Sequence, residues 1–486
     1  MKLSHNSRLI YILFTCLIFI CLFLFFVNIT PMIPFDTDDW IFVSIRRLPI
    51  PLWRDREPTR VWPLTIMPIC GYLVKFIAYP ILHNYLLSYV YVSAGLLAGL
   101  VTLLGNVTNT FFKNRFSISF KKSLAYEAIF LSMFFIIFRN RGTSRCMFTA
   151  DNFSCIFFYT CSGLLNAISI ISIIRYSDFC SEFKSFSVPK KILWSIFYYF
   201  TIFSNVWHSC GLGIFAGVII ITYWIQNVKN NNKSIIAFLK KHYYLFLIEL
   251  LWGTCLVFEF FGGRASTVSE GVAISIKASI KTILGMTTRW SIPYKIIFIL
   301  SIIWLLYFIT KVRSKNNMII LIIGIAACTL TTIYLILLGG IVPYLSRIEA
   351  GWMLWFWTIL FVMWSIISFV EYIKLRIGYY WIIATVCIIL SILPNGRYLR
   401  SCEIDDYELC TQIVQNVIDQ VVTVSEQNCT EATVITPGST NPNRAWYFGD
   451  SYGYLIEKAL YKHGVIKNDV NIISEIDYSL FDSLFE

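Results

Sequence analysis

Long apolar runs recur along this chain as far as residue 394, and only short hydrophilic breaks separate them. A helix needs roughly 20 apolar residues to cross the hydrocarbon of a bilayer. Eleven stretches have that character: 9–29, 84–104, 123–139, 152–174, 192–207, 211–228, 242–261, 294–312, 317–338, 350–371 and 378–394. With 57% hydrophobic and 14% charged residues and a mean hydropathy of +0.67, a soluble multi-domain chain is excluded. The expected fold is an all-α polytopic membrane protein with about 11 transmembrane helices, within a range of 9–12. The first run is too long for a signal-peptide core, and Asn28-Ile29-Thr30-Pro31 is a poor cleavage site, so it is read as a retained span.

Lys and Arg orient the spans. Four breaks are basic: Lys113, Arg115, Lys121 and Lys122; Arg175, Lys184, Lys190 and Lys191; Lys229, Lys233, Lys240 and Lys241; Lys311, Arg313 and Lys315. All four are expected in the cytoplasm together with the N-terminus. Leu64 to Leu82 is apolar but carries Pro68, Lys75 and Pro80, and counting it as a span would invert every later loop. It is therefore expected to lie on the outer surface. A short turn at 205–211 divides the 192–228 run. The outer side then carries a first loop over 30–83, the 139–151 and 262–293 loops, and a soluble tail from residue 395 to 486.

That tail holds 14 of the 28 acidic and 6 of the 40 basic residues, leaving 14 acids and 34 bases before it. The positive charge lies in the short breaks, which is an orientation signal and not a nucleic-acid footprint. A helix from Tyr407 to Val424, a strand Ala432–Thr436 ending in Pro437-Gly438, a further helix and a strand Asp469–Ile473 predict a small α/β module. Among the 14 cysteines there is no C-x-x-C pair and no metal site is read. Cys402, Cys410 and Cys429 fall in the tail, where one disulfide among them is open.

The first outer loop concentrates the candidate chemistry. Between Thr30 and Pro63 stand five acids, Asp36, Asp38, Asp39, Asp55 and Glu57, and five arginines, Arg46, Arg47, Arg54, Arg56 and Arg60, with no lysine. The planar guanidinium pairs bidentately with phosphate or carboxylate; an ion-paired brace is the alternative. Three acids in four residues cannot all reach one substrate atom, and one of them fits the cap of a short helix beginning near Trp40. Trp40, Trp53 and Trp62 suit a membrane interface or the C–H faces of a sugar. Arg347, with Glu349 beside it, is a second candidate phosphate clamp; Arg264 and Arg289 are weaker ones. Glu249 and Glu259 fall within a span and need a partner or a cavity. His208 is read as a structural turn histidine.

Asp38-Asp39-Trp40, followed by Glu57-Pro58-Thr59-Arg60-Val61-Trp62-Pro63-Leu64, then many spans and an outer C-terminal module, resembles the GT-C membrane glycosyltransferases. More narrowly it resembles the serotype-converting, GtrII-like O-antigen glucosyltransferases of temperate phages of enteric bacteria. The resemblance covers the membrane region, 1–394, as a pattern; the module matches no motif. It implies a bacterial inner-membrane enzyme that uses undecaprenyl-phosphate glucose as donor. That donor is supplied by a companion flippase and an undecaprenyl-phosphate glucosyl synthase. The acceptor is a sugar of the lipopolysaccharide O-antigen repeat on the periplasmic face. On this resemblance Asp39, or Asp38, is the base in an inverting transfer. Asp36, Trp40, Glu57, Arg60, Trp62, Arg347, Arg264 and Arg289 are the candidate substrate contacts, with arginine holding the leaving phosphate. No cofactor is expected, although two adjacent acids could hold a divalent cation.

Two other classes fit less well. A carrier of lipid-linked sugars would show repeated halves and mid-span charges, and no repeat is evident. An O-antigen polymerase or ligase would need a large arginine-rich loop between late spans, whereas the loop from Gly339 to Gly351 is short. No Gly-rich phosphate loop, zinc motif or nucleophile elbow is present, and no cytoplasmic segment is large enough for a nucleotide-binding domain.

Overall fold

The computed structural model describes residues 5–45, 47–142, 144–176, 178–229, 234–263, 272–311, 315–341, 343–392, 396–400, 407–427, 429–438 and 448–479. Its helices run in the order His5–Asn28, Thr37–Ser44, Val61–Leu82, Tyr85–Phe116, Phe120–Ile136, Phe153–Ile174, Phe179–Ser185, Val188–Ile202, Val206–Lys229, Ile235–Phe260, Val272–Thr288, Ile292–Lys311, Lys315–Ile341, Ile348–Tyr372 and Ile377–Ile392. Among the described residues nine helices are long and apolar enough to cross a membrane; eight of them are expected runs and the ninth is Val61–Leu82, the stretch expected to lie on the outer surface. All eleven apolar runs read from the sequence are helical; Phe120–Ile136, Val188–Ile202 and Ile377–Ile392 are the shorter ones, at 17, 15 and 16 residues. The break expected at 205–211 falls earlier, at 203–205. Asn205 accepts the Trp207 N–H with its side chain and starts the next helix, so His208 and Gly211 are already helical.

The bundle has two chemically different ends. At one, Arg115 donates to the carbonyls of Ile174 and Tyr176, Lys122 meets Glu371 at 2.9 Å, and Lys241 meets Asp178 at 3.8 Å. The described basic breaks therefore gather there. At the other end, Trp62 N–H donates to Phe203 O, Gly263 N–H to Asp55 O, Ser291 N–H to Ile137 O, and the Arg139 guanidinium to Ile392 O and Gly396 O. The Val61–Leu82 helix, bent around Pro68 and widened at Val74–Ala78, both begins and ends at this second end: Trp62 touches Phe203, and the helix stops at His83 just before Tyr85 meets the C-terminal module. Val272–Thr288 likewise starts beside Gly340 and stops just before Ser291.

Side chains interlock closely inside the bundle. Trp352 lies so near Gly163 that a Cβ there would sit 2.4 Å from the indole. Small residues at such crossings let helices approach where burial in lipid offers little further hydrophobic gain. The first helix fully buries only Leu22 and Phe26; Ile18, Phe23, Phe25 and Val27 pack partly against the bundle, and others such as Leu13 and Leu17 are exposed.

The module is β–α–β with a preceding helix, Tyr407–Glu426. Strands β1, Glu431–Pro437, and β2, Asn471–Asp477, are parallel, with Glu431 opposite Asn471, and helix Tyr452–Lys462 makes the crossover. Helix Tyr407–Glu426 buries Cys410, Val414, Val417, Ile418 and Val421, one stripe at helical spacing. Strand β2 begins two residues later than the expected Asp469 because Asp469 binds Lys458 and Val470 N–H donates to Glu457. Cys410 and Cys429 are free thiols; Cys402 lies outside the described residues.

Candidate functional site

The segment after the first helix turns at Asp36, whose Oδ1 accepts the Asp39 N–H at 2.7 Å and caps helix Thr37–Ser44. An oxygen at this cap satisfies a free helix N–H. The cap also fixes the rotation of the helix. Asp39, Trp40, Val43 and Ser44 turn inward, while Asp38, Ile41, Phe42 and Ile45 share the opposite face.

That second face lines a cavity of about 290 Å³. Its other walls are Arg47, Asp55, Arg56, Glu57, Arg60 and Leu64 from the same loop, Ser154, Cys155, Phe158 and Tyr159 from helix Phe153–Ile174, and Arg347. Four arginines and three acids thus meet with aromatic and aliphatic side chains around one space. Among the described residues the Asp38 carboxylate has no ion-pair or hydrogen-bond partner, and it is the open carboxylate on the wall.

Three of the four arginines are held by neighbours, and Arg56 is exposed. Arg60 is buried, its Nε sits 2.8 Å from Glu57 Oε2, and its guanidinium lies 4.4 Å above the Phe158 ring. Arg47 donates to the carbonyls of Glu57 and Pro58 and lies 3.5 Å from Asp55. Arg347 places Nη1 3.2 Å from Cys155 Sγ; its neighbour Glu349 turns away to Arg145, at 3.8 Å. An aligned guanidinium loses little order when an anion arrives.

Asp39 is built differently. It is fully buried, Oδ1 accepts the Ser154 N–H at 2.7 Å and Oδ2 accepts the Phe35 N–H at 3.0 Å, which ties the loop to the start of helix Phe153–Ile174. Asn152 Nδ2 donates to the second oxygen of Asp36. Burial, and next the charge of Asp39, push the Asp36 carboxyl well above the usual carboxylate range; burial raises Asp39 in the same sense, against the two N–H donors.

Of the sequence candidates, Asp38, Glu57, Arg60 and Arg347 converge on the cavity; Asp39, Asp36, Trp40 and Trp62 lie behind it. Trp40 is enclosed at 0% exposure and Trp62 packs on Phe157, so neither ring offers a stacking face. Arg289 is exposed, and its carbonyl accepts from Asn140 away from the cavity. Arg264 and Arg46 lie outside the described residues. Glu259 accepts the Thr59 hydroxyl and so anchors the loop, and His208 bonds the Glu349 carbonyl at 3.0 Å. The wall formed by Ser154, Cys155, Phe158 and Tyr159 escapes sequence reasoning because it sits in an apolar run. Among the described residues no three His, Cys, Asp or Glu side chains converge as a metal cage would require. The chain matches no protein-family model and none of the curated proteins with which it was compared.

Proposed function

We propose that this chain is a multi-pass membrane glycosyltransferase of GT-C type. It takes a glucosyl group from undecaprenyl-phosphate glucose and places it on a sugar of the lipopolysaccharide O-antigen repeat, changing the serotype. Its setting is the bacterial inner membrane, with the basic loops and the N-terminus in the cytoplasm and the cavity and module in the periplasm. The gathering of basic breaks at the end opposite the cavity supports that orientation. Large apolar side chains exposed along the first helix support the lipid setting. A companion flippase and synthase supply the donor.

The observation that carries the reading is one open carboxylate, Asp38, sharing a cavity with four arginines. Asp38 takes the proton of the acceptor hydroxyl as that oxygen attacks the anomeric carbon. The bond from that carbon to the phosphate oxygen breaks, the configuration inverts, and the electron pair leaves with the prenyl phosphate. Arg60 and Arg347 stabilise the charge gathering on the leaving phosphate. Asp39 serves by position: it fixes the helix that presents Asp38, and it is not itself the base. Glu57 holds Arg60 in place through the 2.8 Å ion pair.

Mass spectrometry of O-antigen from cells making lipid-linked glucose tests this, with wild type, Asp38→Asn or no chain. A hexose added to each repeat only with wild type is the expected result. Unchanged repeats with altered chain length would replace the transferase by a polymerase.

A further inference from the structure

A second concavity, about 480 Å³, opens beside the first and is lined by Ser44, Ile45, Tyr454, Leu455, Lys458, Tyr461, Lys462 and Asp469. We infer that it is the binding groove for the acceptor polysaccharide, holding the glycan against the module so that one sugar hydroxyl reaches Asp38. This rests on the transferase reading above and adds to it the place and chemistry of acceptor binding.

The helix pattern is the first argument. Along Tyr452–Lys462 the buried residues are Gly453, Ile456, Glu457, Ala459 and Leu460, with Tyr452 buried against the Phe35 loop. Tyr454, Leu455, Lys458, Tyr461 and Lys462 form the other face, where a soluble helix ordinarily carries small polar or charged groups. Two tyrosines two helical turns apart, 38% and 39% exposed, instead line a groove with their rings, one face of Tyr454 lying 5.2 Å from the Lys458 ammonium. A phenol ring combines an apolar face suited to the C–H surface of a sugar with a polar tip.

Electrostatics decides between a neutral glycan and an anionic surface. Lys458 is bound to Asp469 at 2.5 Å and lies 3.6 Å from Glu457, and Lys462 donates to the Ser44 carbonyl at 2.8 Å. Both ammonium groups are already engaged, so the groove offers hydrogen-bonding edges and ring faces more than net positive charge. Location is the third argument. Ile45 belongs to the walls of both the groove and the Asp38 cavity. A chain lying along Tyr461 and Tyr454 therefore reaches the Ile45 wall of the cavity that Asp38 lines.

The test uses the full chain in lipid nanodiscs and two probes: lipid-linked glucosyl phosphate, and delipidated O-polysaccharide from a smooth enteric strain. Binding of the polysaccharide is read by saturation-transfer NMR, and transfer by initial rates. Y454A/Y461A is expected to raise the acceptor KM and binding constant about tenfold, near the loss of one aromatic contact, with donor KM retained; Y454F/Y461F stays at wild type. Equal acceptor binding and KM in the alanine pair overturns the groove and leaves the transferase standing. Acceptor binding that depends on the two rings, in a wild-type chain that transfers nothing, keeps the groove and removes the transferase. If the alanine pair loses association with phosphatidylglycerol vesicles but binds polysaccharide normally, the face is a lipid contact and the inference fails.

Discussion

The two flanks of helix Thr37–Ser44 carry carboxylates from adjacent residues and do opposite things with them. On the inner flank Asp39 is saturated by two backbone N–H donors and sealed from water. On the outer flank Asp38 lines a cavity with four arginines and has no partner among the described residues. Since the residue type is the same, the difference comes from 100° of helical rotation. A buried acid whose oxygens are both occupied holds structure; an open one beside guanidinium groups can accept a proton.

Substitutions break this comparison at different strengths. Asp38→Asn is expected to lower transfer by about 10²–10⁴-fold, the usual contribution of a positioned base, with the melting temperature unchanged. Equal loss of folding would move Asp38 to the structural flank. Arg347→Ala is expected to cost about 10²–10³-fold in turnover, as loss of one charge-stabilising donor does; a change confined to KM would mean that it only binds.

On the inner flank, Asp39→Asn turns an acceptor into an amide that must face one N–H with its own NH2. Stability should fall by about 1–3 kcal/mol, the cost of a stranded buried group, and transfer should fall only with the folded fraction. Activity that vanishes in fully folded Asp39→Asn protein would restore Asp39 as the base. Gly71 sharpens the point from the module side: a Cβ there would lie 2.0 Å from the His463 ring, so Gly71→Ala should loosen the module by about 1–3 kcal/mol. Thermal melts of Gly71→Ala beside wild type read this directly.

The smallest effect is on pH. Raised carboxyl pKa values at Asp36 and Asp39 mean that the folded state binds a proton more readily than the unfolded chain. Their stabilisation is complete below the ordinary carboxylate range and is lost as pH rises through the raised values. Asp36→Asn keeps a capping oxygen but no charge, so thermal melts should show a flatter decline with rising pH than wild type. An unchanged slope would mean that both acids stay ionised when buried.

How much of this the sequence reveals depends on the range of the interactions involved. The eleven apolar runs are local signals, and each is a helix. The strand read over 432–436 and the helix read over 407–424 are equally local, and both elements appear where expected, at Glu431–Pro437 and Tyr407–Glu426. The choice between Asp38 and Asp39 is not local. It is set by the Asp36 cap, by Ser154, and by Tyr452, which donates to Phe35 O across 417 residues of sequence. Trp40 looks like a sugar platform beside two acids, yet that same distant packing encloses it. Cys155 and Tyr159 are hidden for the opposite reason: in a run that must be apolar, a lining residue resembles any other.

The hold of the module on this loop has a consequence in time. Tyr452 grips Phe35, Gly449 N–H donates to Thr37, and Lys462 grips Ser44, so both ends of helix Thr37–Ser44 are fastened by residues made more than four hundred positions later. During synthesis the loop emerges early with its own Asp36 cap, meets Ser154 next, and gains its last three fastenings only when the module has followed and folded. The final seating of the helix that carries Asp38 is thus the last step of the chain's assembly, set by the order in which its parts are made.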